Sequence, residues 1–350
     1  MTTLTTPARP GEDDASLRPV PWRRMAGVTW RQHRIALAGV AGLLGALAAY
    51  LWIAGLPLHH AYDAAVACHP ASSAACQALD STLDGMDNFL SNGFILQVLP
   101  AAIGAFVGAP VLARELETGT FRYAWTQGFG RRRWAVAKLV LLAVVVTAAA
   151  AAFGALLTWY YQPFVGDQSL GLPRTTPLTP ALFDLRGVGF PAWTLAAFAI
   201  AALAGMLIRR VVPAIAATLV VYAGLAFATA GFLRAHYLTP LLASDYSNVP
   251  SNAWVVSQWW TKDGRVAFGD YPPASVLNQF CSPPPAGTGK GGPVAEGWGP
   301  CLIQHGYAMW TSYQPATRFW PFQWIEGGWL LALSALLIAA TVWLVQRRAA

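Results

Sequence analysis

The sequence predicts an all-α membrane protein with six transmembrane helices. Three observations carry this: little charge, high hydropathy and six long apolar segments. Of 350 residues, 23 are basic and 16 are acidic, so 11% are charged, against about 25% in an ordinary soluble domain. Hydrophobic residues make up 55% of the chain, and its mean hydropathy is +0.43. This composition lacks the charge needed to cover a soluble surface, which argues against a soluble enzyme and a disordered protein.

Six apolar segments are long enough to cross a membrane. A hydrocarbon layer about 30 Å thick requires roughly 20 apolar residues in a helix. The segments run over residues 35–56, 93–113, 134–158, 190–208, 212–232 and 328–345. Within them the sole charged residue is Lys138, near the start of the third segment. Backbone polar groups must be satisfied inside the bilayer, so each segment is predicted to be helical.

The positions of Lys and Arg predict the topology. Sixteen, counting Lys138 near the start of the third helix, lie before the first helix, in alternate loops and in the C-terminal tail, and seven lie in the remaining loops. The excess of positive charge marks the cytoplasmic side, so we expect a plasma-membrane protein with both termini cytoplasmic. Topology then accounts for the pI of about 9.4, and no nucleic-acid partner is needed.

Four regions follow from this topology. Residues 1–34 form a cytoplasmic tail that ends in an interfacial helix from Trp22 to Arg34, because Trp interleaved with Arg suits the headgroup region. Residues 35–233 hold the first five membrane helices. Residues 234–327 form an extracytoplasmic domain, and residues 328–350 form the sixth helix and a cytoplasmic tail.

All four cysteines lie in the two predicted outer loops. The outer face of the membrane is oxidising, where disulfides persist, and local closure pairs Cys68 with Cys76 and Cys281 with Cys301. A rival hypothesis is a metal site near Cys68. It would use His59, His60, Asp63 and His69, but their spacing matches no common ligand pattern, so no metal is predicted.

The predicted cytoplasmic segment over residues 114–133, called the connector here, carries an unusual charge pattern. It opens with Arg114, Glu115 and Glu117 before a Gly119–Thr120 turn, and a basic cluster follows where the third helix begins. The positive-inside rule explains the arginines but not the two carboxylates. A short, stiff, charged link between two membrane helices is suited to passing force from a soluble partner into the membrane.

These motifs resemble ABC-2 type permeases, the membrane subunits of ABC exporters. The resemblance rests on R-E-L-E-x-G-T from Arg114, T-Q-G-x-x-R-x-R-W-x-x-x-K from Thr126, W-R-Q-H-R from Trp30, and the run from Tyr313 to Glu326. It implies a type V exporter-like fold with an enlarged outer loop, and a coupling helix in the connector that docks on an ATPase. The coupling residues it suggests are Arg114, Glu115, Glu117, Gly119, Thr120, Thr126, Gln127, Arg131 and Arg132.

The resemblance also implies partners. Two copies of a separate ABC ATPase would carry ATP and Mg²⁺, and the permease would act as a homodimer or with a similar permease. The chain itself is expected to be non-catalytic and to hold no cofactor.

Residues 287–292 fit G-x-G-x-x-G but follow prolines without a strand–helix context, so they are interpreted as a linker. H-E-x-x-H and G-x-S-x-G do not occur, which argues against an intramembrane hydrolase.

A substrate path is predicted along the second and fifth helices. The candidate residues are Phe94, Gln97, Phe106, Tyr222 and Phe227. Few ionisable groups lie in the helices, which favours export of a hydrophobic or amphipathic lipid, drug or peptide over proton-coupled transport.

Small residues four apart, Gly104 with Gly108 and Ala201 with Gly205, allow close helix approach and suggest a dimer face. The alternative function is a membrane scaffold or sensor with an extracytoplasmic ligand-binding domain.

Overall fold

The structure, a computed structural model, describes residues 22–69, 73–85, 93, 95–119, 131–165, 176–244, 248–281 and 298–348. In chain order its helices are α1 (Trp22–Ala67), α2 (Ala74–Gly85), α3 (Val98–Thr118), α4 (Arg131–Tyr160), α5 (Gln162–Val165), α6 (Pro180–Phe183), α7 (Gly189–Ile208), α8 (Val211–Ala228), α9 (Ala274–Phe280), α10 (Gly299–Gln304) and α11 (Phe319–Arg348). A π-helical turn, Thr229–Leu233, and a 3-10 turn, Arg234–His236, extend α8.

Six helices in this part of the chain are long and apolar enough to cross a membrane. They are α1, α3, α4, α7, α8 and α11, and each contains most or all of one predicted segment. The prediction of six membrane helices is confirmed with respect to their number, length and apolar composition. The helices differ in burial: 72% of the apolar window of α7 is buried, against 17% for α1 and 11% for α8. Helix α7 therefore forms the centre of the bundle, and it packs against α3, α4, α8 and α11.

Helix α1 differs from the expected interfacial segment followed by a membrane helix. The stretch Trp22–Arg34 forms the first turns of one unbroken helix of 46 residues. No proline occurs in this helix before Pro57, so nothing in the sequence ends it at the predicted boundary. At 1.5 Å per residue the helix is about 70 Å long, more than twice the hydrocarbon thickness.

The small residues predicted for a dimer face pack helices within one chain. A Cβ added at Gly104 would lie 2.4 Å from the Cβ of Ala197, and one at Gly108 would lie 2.7 Å from the carbonyl oxygen of Phe198. Gly205 approaches the carbonyl oxygen of Ala109 in the same way, at 2.7 Å. The glycines let α3 and α7 approach closely inside the subunit, so the dimer interpretation of these motifs is not supported.

The segment predicted to be extracytoplasmic contains a β-sheet, so the all-α prediction is wrong in this respect. Its strands are β1 (Leu241–Ala243), β2 (Trp254–Lys262), β3 (Arg265–Phe268) and β4 (Tyr307–Gln314), in the antiparallel order β1-β4-β2-β3. Aromatic and β-branched residues in β2 favour a strand. Asp263 and Gly264, both with positive φ, form the tight turn to β3 that an Asp-Gly pair favours.

Both predicted disulfides form in the structure. Cys68 joins Cys76 near the start of α2, and Cys281 joins Cys301 to link α9 with α10 beside the sheet. The sixth helix begins earlier than predicted, at Phe319, so residues 319–327 belong to α11. Proline is tolerated in the first helical turn, which lets α11 start before Pro321. We call the end of the helix bundle that carries the sheet the sheet end. The opposite end, where the connector joins α3 to α4, is the connector end.

Candidate functional site

At the connector end, Glu115 of α3 forms an ion pair with Lys138 of α4. The Lys138 side chain is 3% exposed and that of Glu115 is 15% exposed. The ammonium also lies 4.7 Å from the ring centre of Trp134, one turn earlier on α4. A buried ammonium needs a partner, and the pair satisfies it while tying the end of α3 to the start of α4.

A second carboxylate ties α3 to α8. The Val211 backbone N–H, in the first turn of α8, donates to Glu117 Oε2 at 3.3 Å. A negative charge at the start of a helix interacts favourably with the positive end of the helix dipole, and here it also accepts a backbone N–H that has no partner within the helix. Helix α3 ends at Thr118 and is capped by Gly119, whose φ of 71° is in the left-handed region that favours glycine. The two carboxylates that the positive-inside rule left unexplained thus join three helices.

The other predicted coupling residues divide into two groups. Arg114 and Arg132 are exposed at the connector end, and Arg131 begins α4. Thr120, Thr126 and Gln127 lie outside the described residues, as does the G-x-G-x-x-G stretch at 287–292. The structure therefore brings Glu115 and Glu117 to the junction of α3, α4 and α8, with Arg114 and Arg132 exposed nearby.

At the sheet end, a cavity of about 320 Å³ lies between α3, α7 and α8. Its wall is mostly apolar, and among the described residues that line it Asp184 is the one with a charged side chain. Three of the five predicted substrate-path residues, Gln97, Tyr222 and Phe227, line this cavity. Gln97 is held by a 2.8 Å hydrogen bond from its Nε2 to the carbonyl oxygen of Pro180.

Of the remaining two substrate-path candidates, the structure describes Phe106 alone. Phe106 is 59% exposed on α3 and does not line the cavity. Phe94 lies outside the described residues. The structure thus brings together the candidates nearest the sheet end and leaves Phe106 on the outer surface of the bundle.

A buried ionic cluster, formed by Asp184, Arg234 and Glu326, lies directly behind the cavity. Glu326 of α11 is 0% exposed and accepts hydrogen bonds from Arg234 Nε at 3.0 Å and Arg234 Nη2 at 2.8 Å. It also accepts one from Trp193 Nε1 at 2.9 Å and one from the Tyr237 hydroxyl at 3.1 Å. Four donors on one buried carboxylate fix the start of α11 against α7 and the end of α8.

Arg234 links this carboxylate to the cavity wall. Its Nη2 also contacts Asp184 Oδ1 in a second ion pair, and its guanidinium lies 4.2 Å from the ring centre of Phe183. Burial raises the pKa of Asp184; the Arg234 charge acts in the opposite direction, and the Glu326 charge adds to the rise. Two carboxylates therefore share one guanidinium, and Asp184 is the member that reaches the cavity.

Gln323, one turn before Glu326 on α11, makes two hydrogen bonds to the backbone next to the ionic cluster. Its Oε1 accepts the Gly189 backbone N–H at 2.8 Å, and its Nε2 donates to the Phe183 carbonyl oxygen at 2.8 Å. These contacts hold the start of α7 and the turn that carries Asp184. Nearby, Arg186 lies 5.0 Å from the ring centre of Phe319, and burial lowers its pKa to about 10.

The ionic cluster was not predicted from the sequence. Its members are separated by 50 and 92 residues, so no local spacing connects them. One pattern pointed towards it: Gln323 and Glu326, three residues apart, lie on one face of a helix that is otherwise apolar and aromatic. A carboxylate in that position requires a buried partner.

The rival metal hypothesis has little structural support. His59 Nε2 is within 3.0 Å of the Trp159 carbonyl oxygen, and its ring stacks on Trp159 at 4.4 Å. Across the described ranges, no group of three or more His, Cys, Asp or Glu side chains is placed to hold a metal ion. Cys68 is in the disulfide with Cys76.

The six apolar helices define a multi-pass membrane protein. Comparison with known families then narrows the class: the family described as "ABC-2 membrane transporter related" matches residues 41–234, and the chain belongs to that family. Such proteins are in general non-catalytic membrane components that work with an ABC ATPase. No curated protein and no solved structure matches the chain.

Proposed function

We propose that this chain is the permease subunit of an ABC exporter and moves a hydrophobic or amphipathic molecule outward with energy from a separate ATPase. The family match supports a transporter subunit. The observation that carries the mechanism is the junction at the connector end, where Glu115 and Glu117 tie α3 to α4 and α8.

The proposed coupling works through these ties. The connector joins α3 to α4, so a push on it from an ATPase acts on both helices. Through Glu115 and Lys138 the helices move as a pair, and through Glu117 the start of α8 follows. Because α3 and α8 also border the cavity at the sheet end, displacement of the connector reaches the proposed substrate path.

The proposed topology places the connector end and both termini in the cytoplasm. Two independent features agree with it: the excess of Lys and Arg in the segments at that end, and the location of both disulfides at the opposite, sheet end. Two ATPase copies would then serve a homodimer, or a pair formed with a similar permease.

Purification with the ABC ATPase encoded nearest to this chain in its genome tests the proposal. A stable complex is expected, with charge reversal at Glu115 and Glu117 together weakening it. The matched control reverses Asp263, an exposed acid at the sheet end. A chain that binds no ATPase would favour a scaffold or sensor, and binding insensitive to the reversal at Glu115 and Glu117 would remove the coupling assignment.

A further inference from the structure

The cavity at the sheet end combines a single charge with aromatic walls. Its lining includes Trp193 and Tyr222, whose rings meet edge to face with centres 5.3 Å apart. Phe227, 78% exposed, lies on the α8 side of the cavity. At about 320 Å³, the space falls at the lower end of the range for small-molecule sites.

The charge balance behind the cavity leaves one carboxylate in excess. Glu326 takes two hydrogen bonds from Arg234 and is 0% exposed, so it neutralises that guanidinium in the interior. Arg234 is itself 0% exposed and does not line the cavity. Asp184 contacts the same guanidinium, but its side chain is 17% exposed and does line the cavity. When Asp184 is ionised, the excess negative charge is on this accessible carboxylate, and a bound cation favours the ionised form as the Arg234 charge does.

Arg186, two residues after Asp184, forms no ion pair with Asp184 or Glu326. Arg186 lies against the ring of Phe319, and its Nε and Nη1 atoms are buried without a hydrogen-bond partner among the described residues. It is absent from the cavity lining. Among the described residues, the cavity lining therefore holds one carboxylate and several aromatic rings but no positive group.

We propose that this cavity binds the cationic group of an amphipathic small molecule, with Asp184 as its counter-ion and Trp193 and Tyr222 as its aromatic neighbours. Opposite charges attract strongly in a site shielded from water. A cation near Trp or Tyr rings gains further attraction from the negative ring faces. The apolar part of the ligand would extend past Phe227 toward the lipid. This inference rests on the proposed exporter function and narrows its substrate class to lipophilic cations.

Equilibrium dialysis with radiolabelled tetraphenylphosphonium tests the site, using the full chain in lipid nanodiscs with empty nanodiscs subtracted, at about pH 9, above the raised pKa of Asp184. Tetraphenylborate, which has a similar shape and the opposite charge, is the matched ligand control. We expect saturable binding of the cation and at least a tenfold weaker binding of the anion. The Asp184→Asn variant should lose about tenfold in affinity for the cation, equivalent to about 1.4 kcal/mol.

Two further variants complete the design. Asp263→Asn removes an acidic charge on the exposed β2–β3 turn and should bind the cation as the wild type does. Ala223→Phe fills the cavity while keeping Asp184, and it should also weaken binding about tenfold; it decides the test if Asp184→Asn elutes as aggregate. Equal affinity for cation and anion, or wild-type binding by a folded Asp184→Asn or Ala223→Phe, would overturn the inference. Since no ATPase is present in this assay, its failure leaves the co-purification result, and with it the exporter proposal, unaffected.

Discussion

The two ends of the helix bundle use ionic contacts in different ways. At the connector end, one carboxylate meets one ammonium, Glu115 with Lys138, and the charges balance. At the sheet end, two carboxylates meet one guanidinium, and the second of them, Asp184, lines a cavity. A balanced pair suits a joint between helices, whereas the unbalanced cluster leaves a second carboxylate at the cavity wall. In the proposed function, the connector end transmits force and the sheet end binds the ligand.

The largest effect is expected from breaking the fully buried half of the sheet-end cluster. Glu326→Leu leaves Arg234 without its main partner and removes an acceptor for Trp193 and Tyr237. Loss of one partner from a buried ion pair costs roughly 3–5 kcal/mol. The free energy of unfolding, measured by denaturant titration in detergent, should fall by that amount.

Glu326→Gln is the matched control for this variant, since it keeps the shape and one acceptor oxygen. It should be less destabilised than Glu326→Leu. Equal losses for the two variants would mean that side-chain volume, and not the ionic contact, holds α11 at this position.

A smaller loss of stability is expected from overpacking the contact between α3 and α7. Helix α3 runs from the sheet end to the connector end, so this contact links the two regions. Gly104→Ala would place a Cβ 2.6 Å from the backbone nitrogen of Phe198, and such overpacking costs about 1–3 kcal/mol. Gly224→Ala, on α8 with nothing within 4 Å, should leave stability unchanged or raise it by up to about 1 kcal/mol. Thermal unfolding of both variants measures the difference, and equal shifts would contradict close packing at Gly104.

The last effect concerns pH at the sheet end. Because the pKa of Asp184 is raised in the folded protein, the folded state holds this proton more tightly than the unfolded state. Its contribution to stability is complete below the unfolded value of about 3.9 and is lost as pH rises through the raised folded value. Relative to Asp184→Asn, the wild type should therefore lose stability from about pH 5 to about pH 8. Parallel pH dependence in the two proteins would contradict the raised pKa.

Local patterns predicted much of the fold. Continuous apolar length was sufficient for the six helices, and the loop positions of Cys68, Cys76, Cys281 and Cys301 were sufficient for both disulfides. The sheet was missed because hydropathy dominated the interpretation, although the Asp263–Gly264 turn marked a hairpin. The glycines of α3 were assigned to the wrong partner because spacing shows that helices can approach but not which helix approaches.

The candidate sites show the same limit. The sequence marked Glu115 and Glu117 as unusual, yet their contacts with Lys138 and the start of α8 depend on the packing of distant segments. Gln97, Tyr222 and Phe227 meet at one cavity, but the Asp184 carboxylate that gives the cavity its charge comes from a loop between predicted helices. Long-range ionic pairing is decided by tertiary structure, and a single sequence does not encode it in a local pattern.

The most direct test of the coupling role is the rate of ATP hydrolysis by the complex of this chain with its ABC ATPase in nanodiscs. It should be measured for the wild type, for Glu115→Lys, for Lys138→Glu and for the double exchange. We expect each single reversal to reduce stimulation of the ATPase by the permease, since it places like charges together at the junction of α3 and α4. The double exchange restores opposite charges and should recover much of the stimulation. Wild-type rates in both single variants would contradict a coupling role for this ion pair.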